Sequence, residues 1–303
     1  MSKPLVSVVI PTYSREKKLI RAIESVLHQT YPCVEIIVVD DNPRRDLSNV
    51  VPAVDRLSLI NHESNKGVAG ARNSGIAASN GQYIAFLDDD DTWTEKKLEM
   101  QVPVLETASE CVGIVYSGNT VKASGKKQYV YTPKKHGYIF DSLLIGNFIP
   151  SPTPVVKREC FSDLGGFDES LTSLDDYDMW LRLSQEYKIE YVKAPLATTY
   201  QGHNRMSDAT MDIFNAEKEI LDKYRKHYED NPDALAERML KLGILAERLE
   251  KYAEAREYYL KSLKKRNINI SAILRLFFLI LPDLLSKPLS KAHNRVLQSG
   301  GPP

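Results

Sequence analysis

A chain of 303 residues with forty acidic and forty basic side chains has room for one large α/β domain plus something smaller. Its cancelled charge supplies no global field that would select nucleic acid as a partner. Hydrophobic residues at 43% and charged residues at 26% are ordinary for a soluble globular protein. Cys33, Cys111 and Cys160 are far apart and in no metal-type spacing, so they read as reduced thiols of a cytoplasmic protein. Residues 5–10 are too short a run for a signal-peptide core, and no stretch approaches the roughly 20 apolar residues of a membrane span. The expected location is the cytosol, or at most a membrane surface.

The first hundred residues alternate short β-branched runs with helical stretches such as Glu16 to His28. Continuous apolar runs of this kind fit strands covered on both faces, and the alternation implies βαβ units in three layers. Ligands in such sheets sit beyond the carboxyl ends of strands. The first strand, residues 6–10, runs into Pro11-Thr12-Tyr13-Ser14-Arg15. This stretch has no glycine, which excludes both a dinucleotide-binding turn and a phosphate-binding P-loop. An aromatic ring, a hydroxyl and a cation suit a base or ribose and a phosphate met by Arg15. Alone, the cluster reads better as an ordinary polar loop.

The second strand, Val34 to Val39, stops at Asp40-Asp41-Asn42. One of these carboxylates reads as a cap or turn former, the other as an acceptor for the N–H edge of a base. The third strand, Tyr83 to Leu87, runs directly into Asp88-Asp89-Asp90-Asp91. Four successive carboxylates repel one another unless a cation shares them, which suits Mg2+ or Mn2+ bridging to phosphate oxygens. In an extended chain Asp88 and Asp90 point to one face. An acidic cap for a helix spanning Thr94 to Ala108 would account for one or two of the aspartates, not four.

From about Met211 the pattern becomes long helices with few glycines. Residues 236–269 fit one 34-residue tetratricopeptide-like hairpin, with Leu242, Gly243, Ala255 and Tyr259 as its large, tiny, small and aromatic positions. The apolar segment Ile268 to Leu285 is interrupted by Arg275, and Pro282 is expected to end its helix. Lys264, Lys265 and Arg266 precede it; Lys287, Lys291 and Arg295 follow. Two readings stand open: a helix lying in a membrane interface, or a helix covering the hairpin. The last residues, 299–303, are expected to be disordered.

The order and spacing of several motifs resemble family 2 glycosyltransferases over residues 4–208. They are Val6-Ser7-Val8-Val9-Ile10-Pro11-Thr12-Tyr13, then Val39-Asp40-Asp41-Asn42, then Asn65-Lys66-Gly67 leading to Ala71-Arg72-Asn73-Ser74-Gly75. Phe86-Leu87-Asp88-Asp89-Asp90-Asp91-Thr92-Trp93, Gly165-Gly166-Phe167-Asp168-Glu169 and Asp175-Asp176-Tyr177-Asp178-Met179-Trp180-Leu181-Arg182 follow. The resemblance implies a GT-A fold, a three-layer α/β/α domain with a mixed, mostly parallel sheet over residues 1–208. A C-terminal all-α extension would span 209–285 and a tail 286–303.

By the same resemblance Pro11, Thr12, Tyr13, Arg15, Asp41 and Arg72 hold the nucleotide, with Asp88 and Asp89 beside it. Asp88 and Asp90 match the ends of the family's D-x-D, and Asp90, Asp88 and His203 become the metal ligands. Asp176 matches the catalytic base, opening a helix that carries Met179, Leu181 and Leu183 into the core. Asp175 stands where the family often has glutamate, which leaves open which of the pair is the base. The implied reaction is inverting transfer of one sugar from a UDP-sugar to a saccharide or lipid-linked saccharide in bacterial surface polysaccharide or lipopolysaccharide synthesis. A homo-oligomer through the C-terminal helices is a further expectation. A nucleotidyltransferase would want a glycine-rich, arginine-containing loop after the first strand, and a processive synthase a Q-x-x-R-W motif; neither is present. A non-catalytic scaffold is disfavoured by the intact motif carboxylates. Lys122 to Pro154, where acceptor loops are expected, carries no readable motif.

Overall fold

The computed structural model of the chain describes residues 3–123, 128–201, 206–265 and 270–284. His203, part of the 236–269 repeat and the tail from 286 lie outside the described residues. In chain order the elements of the first part are β1 (Val6–Thr12), α1 (Glu16–Leu27), β2 (Val34–Asp40), β3 (Leu57–Asn61), α2 (Gly67–Ala78), β4 (Tyr83–Phe86), β5 (Thr92–Trp93) and α3 (Lys97–Thr107). There follow β6 (Val112–Ala123), β7 (Tyr129–Tyr131), α4 (Phe140–Ile145), β8 (Val155–Lys157), α5 (Arg158–Leu164), α6 (Asp175–Glu186) and β9 (Lys188–Gln201). The helical remainder is α7 (Met206–Lys223), α8 (Arg225–Asp230), α9 (Pro232–Arg248), α10 (Tyr252–Lys265) and α11 (Ile270–Leu284). The chain divides into two compact units, Met1–Asn204 and Arg205–Pro303.

In the first unit the strand order is β3-β2-β1-β4-β8-β6-β9-β5, with β7 paired to β6. All seven residues of β1 are buried, which is why its sequence shows a continuous apolar run and not an alternation. Strands β3, β2, β1 and β4 are mutually parallel, and α1 closes over them with Leu19, Ala22, Ile23 and Val26, one helical face. Beyond β4 the sheet is mixed: β8 runs antiparallel to β4 and β6, and β6 runs parallel to β9. Register fixes the site. Thr12 pairs with Asp40, and Leu87 N–H donates to the Val9 carbonyl at 3.0 Å. The three loops that follow β1, β2 and β4 therefore leave one edge side by side. The helix expected from Thr94 begins at Lys97 instead, because Thr92 and Trp93 form β5 against Thr198 and Ala197 of β9. Cys33 and Cys111 are half-buried, Cys160 is buried, and all three are free thiols.

In the second unit α9 and α10 form the anticipated hairpin. Leu242, Ala255 and Tyr259 are fully buried in one apolar cluster with Phe214. Ser262 Oγ donates to the Ala236 carbonyl at 2.8 Å and Tyr259 OH to Glu247 Oε2 at 2.6 Å, so the two helices run antiparallel. Gly243 is the tiny residue this packing requires: a Cβ there would stand 2.4 Å from Tyr259 Cε1. Gly243→Ala should therefore destabilise the helical unit by about 1–3 kcal/mol, an overpacking cost that exceeds alanine's better helix propensity. Urea denaturation followed by circular dichroism reads this directly, and an unchanged midpoint would mean the ring moves aside without cost.

Helix α11 packs Ala272 and Leu279 into the same cluster, so it does cover the hairpin. It continues past Pro282 to Leu284. Proline in a last turn removes one hydrogen bond from a ladder that is ending anyway, which is why the expected stop is displaced. Among the described residues no helix is long and apolar enough to cross a membrane.

Candidate active site

The acidic tetrad after β4 is not extended. Asp91 N–H donates to the Asp88 carbonyl at 3.0 Å, closing a tight turn, so the alternation that would aim Asp88 and Asp90 together does not apply. Every carboxylate is partnered within the protein, with Arg15 shared between Asp89 and Asp90. Asp88 meets Arg72 Nη2 at 2.7 Å. Asp89, buried, accepts from Thr12 Oγ1 at 2.7 Å and Arg15 Nη1 at 3.0 Å. Asp90 meets Arg15 at 2.9 Å and Lys18 Nζ at 3.3 Å. Asp91, also buried, accepts from Thr199 Oγ1 and the Tyr200 N–H. The repulsion expected of four carboxylates is thus largely met by protein cations and hydroxyls. The side chains of Asp88 and Asp90 nonetheless keep 31% and 27% exposure.

Burial, reinforced by Asp88 and Asp90, pushes the Asp91 carboxyl up to about 8. The folded state then holds a proton that the unfolded chain releases near the ordinary aspartate value. Stability contributed by this group is present below that value and declines as pH rises toward about 8. Without added metal, the melting temperature should fall between mildly acidic and mildly alkaline pH, and Asp91→Asn should flatten the fall. A variant melting in parallel with the parent would show that Asp91 is ionised throughout.

Arg72, on α2, is the hub of the site. It is buried and contacts Asp88, Asp175 Oδ2 at 2.5 Å and Ser151 Oγ at 2.9 Å. Burial opposes its charge, but Asp175 and Asp88 outweigh that and hold it firmly protonated. The neighbouring motifs keep it there. Asn73 accepts from the Phe167 N–H at 2.7 Å and donates to the Phe167 carbonyl at 2.9 Å. Gly166 admits this contact, since a Cβ would lie 2.2 Å from Asn73 Oδ1. The glycine pair and the arginine-asparagine pair are thus halves of one clasp.

The two members of the Asp175–Asp176 pair differ. Asp175 is buried against Arg72, whereas Asp176 is half-buried and accepts from the Tyr177 N–H at 2.7 Å. Burial first, then the charge of Asp175, pushes the Asp176 carboxyl up to about 7, with Arg72 opposing. Leu174 enters α6 in the left-handed region, φ 62°, which turns the first-turn carboxylates toward the strand ends. On the helix's other residues Met179, Leu181 and Leu183 are fully buried, as the pattern predicts.

A cavity of about 460 Å3 opens at this edge. Pro11, Thr12, Tyr13, Arg15 and Asp41 border it from the β1 and β2 loops, and Arg72 from α2. Asp88, Asp89, Asp90, Asp175 and Asp176 also line it, so among the described residues every site residue expected from the sequence meets one space. Asp41 also proves structural: His62 Nδ1 at 2.7 Å and the Lys66 and Gly67 N–H groups at 2.8 Å already hold its oxygens. Of the pair at the end of β2 it is Asp41 that caps α2, while Asp40 is fully buried and ties the Asn42 N–H.

Sequence reasoning missed Ser151, Lys18 and Arg21. Ser151 carries no signal, because its partner lies 79 residues away. Lys18 and Arg21 do: with Arg15, which precedes α1, they recur every third residue into that helix, and Arg21 Nη2 donates to the Asp90 carbonyl at 2.6 Å.

As oxygen donors, Asp88 and Asp90 fit a hard divalent cation. Mg2+ in particular is bound through one or two carboxylates with phosphate and water completing the shell. Among the described residues no group of three acidic, histidine or cysteine side chains converges, so the remaining ligands would come from bound substrate and solvent.

This sheet, with an acidic cavity at its parallel strand ends, defines a glycosyltransferase of the GT-A fold. The chain belongs to glycosyl transferase family 2, whose profile matches residues 7–165. An uncharacterized glycosyltransferase of Haemophilus influenzae is 29% identical over 290 residues, covering 92% of this chain and 97% of that protein. The putative colanic acid biosynthesis glycosyl transferase WcaA of Escherichia coli is 32% identical over 200 residues, 61% of this chain and 68% of WcaA. Among solved structures, S. aureus TarS 1-349 in complex with UDP-GlcNAc shares the fold, with a TM-score of 0.56 at 16% identity, covering 86% of this chain and 89% of that one.

Proposed function

We propose that this glycosyltransferase moves a single sugar from a UDP-sugar to an acceptor hydroxyl with inversion, in bacterial surface polysaccharide or lipopolysaccharide synthesis. The observation that carries the reading is the shared cavity. Asp176, a carboxylate raised toward neutrality, faces the same space as the partly exposed Asp88 and Asp90. The UDP-GlcNAc complex of TarS and the colanic acid assignment of WcaA support the donor class and the setting.

In the proposed reaction Tyr13, half exposed at the cavity wall, and Thr12 flank the nucleoside. Arg15 and Lys18, which pair with Asp90, would supply positive charge to the diphosphate. Asp176 takes the proton of the acceptor hydroxyl as its oxygen bonds to the anomeric carbon, from the face opposite the leaving group. The bond from that carbon to the diphosphate oxygen breaks, and the electron pair leaves with the nucleoside diphosphate. Held by Asp88 and Asp90, Mn2+ or Mg2+ would supply electrostatic stabilisation of the departing diphosphate.

A thermal-shift screen of nucleotide-sugars tests the donor. A UDP-sugar at 100 times its Kd should stabilise the protein by about 2.7 kcal/mol, and no response to any nucleotide-sugar would remove the reading. Excess chelator should abolish sugar transfer or slow donor hydrolysis, with Mn2+ restoring it. Full activity in chelator would take away the role given to Asp88 and Asp90.

A further inference from the structure

Helix α11 is apolar on two faces, and only one of them is used. Ala272 and Leu279 are buried against the hairpin, and Arg275 Nη1 meets Glu247 Oε2 at 3.0 Å, so the helix is fastened to its own unit. Ile270, Ile273, Leu274, Phe277 and Phe278 are exposed by 65, 45, 51, 55 and 47%. Their spacing of three and four makes one continuous stripe of large side chains. Isolated exposed apolar residues need no explanation, but a contiguous stripe on one helix marks an interaction surface.

Charge identifies the occupant. The whole chain is neutral, yet the sequence on either side of the helix, residues 260–269 and 285–303, carries seven lysines and arginines and no acidic residue. The stripe is thus bracketed by a strongly basic stretch, while the remainder of the chain is net acidic. An identical copy docked stripe to stripe would bring two such basic stretches together, which like-charge repulsion opposes. An anionic surface gains from the same arrangement. The helix is too short and too interrupted to span a bilayer, but amphipathic helices of this composition lie in the headgroup plane with their apolar face inserted.

We infer that α11 is a docking surface for an anionic phospholipid membrane, with the stripe from Ile270 to Phe278 inserted and the basic composition of the neighbouring sequence favouring anionic headgroups.

Cosedimentation of the full chain with phosphatidylcholine vesicles, with and without phosphatidylglycerol, tests it. The protein should bind the anionic vesicles about tenfold more strongly or better and release at high salt, since several basic residues each contribute near the surface. Leu274→Ser with Phe277→Ser should lose binding to anionic vesicles by about tenfold or more, two exposed apolar side chains being removed from the inserting face. Circular dichroism and donor binding should be unchanged. Lys264→Glu keeps the stripe intact and should weaken binding about fivefold, at low salt only. Failure of the parent protein to sediment with anionic vesicles would overturn the inference, as would a double variant that sediments like the parent. So would a vesicle-free dimer, seen by light scattering, that the serine substitutions dissolve, because the stripe would then belong to a second copy.

Discussion

Asp176→Asn should bind a UDP-sugar as the parent does and lose sugar transfer by about 10²- to 10⁴-fold, the usual contribution of a general base. Asparagine keeps the size of the side chain and its acceptor for the Tyr177 N–H, so α6 begins unchanged. What disappears is the oxygen that can take a proton. Since the proposed base works ionised, and burial with Asp175 raises its carboxyl to about 7, the parent's rate should rise with pH through that value and flatten above it. Asp175→Asn offers the contrast. Its carboxylate is buried on Arg72, so its loss should appear chiefly as lowered stability. Substantial transfer by Asp176→Asn together with none by a stable Asp175→Asn would exchange their roles. Measured donor affinity and single-turnover rates separate the outcomes.

Arg72→Met should destabilise the first unit by about 3–5 kcal/mol, the cost of removing one partner from buried charge pairs. The methionine leaves Asp175, about 6% exposed, without its cation, and Asp88 with solvent on one side only. Because Asp88 borders the cavity, activity should fall with stability. Arg72→Lys should recover little, since a single ammonium cannot span two carboxylates and Ser151 as the planar guanidinium does. Combining Arg72→Met with Asp175→Asn should return part of the lost stability, because the stranded carboxylate is neutralised, and urea midpoints of the four proteins close a double-mutant cycle. Additive losses would mean that the two side chains do not stabilise each other. They would reduce Arg72 to a packing residue against Phe167, whose ring centroid lies 5.3 Å from its guanidinium carbon.

Much of the fold is written in local pattern. A run such as Val6 to Ile10 is apolar on both faces because helices cover both sides of a parallel sheet, and that can be read without coordinates. So can Gly243 opposite Tyr259, since a helical hairpin admits few residues where its helices touch. The position of the site was legible for the same reason: acidic and polar clusters stop abruptly where strands stop, and the strands of such a sheet end on one edge. Family membership likewise rests on motif order, a one-dimensional property.

Tertiary structure decided which groups answer one another. The acidic tetrad looked like one object, but a turn separates its members, and Arg72, Thr12, Arg15 and Lys18 divide three of them. Asp41 looked free for a nucleotide base and is largely occupied in capping α2. The difference in surroundings between Asp175 and Asp176 turns on an arginine 103 residues upstream of Asp175. Side-chain chemistry and period are local properties, whereas the field and burial that set a carboxylate's proton affinity come from atoms the chain delivers from far away. Only closure of the sheet brings those atoms within hydrogen-bonding distance.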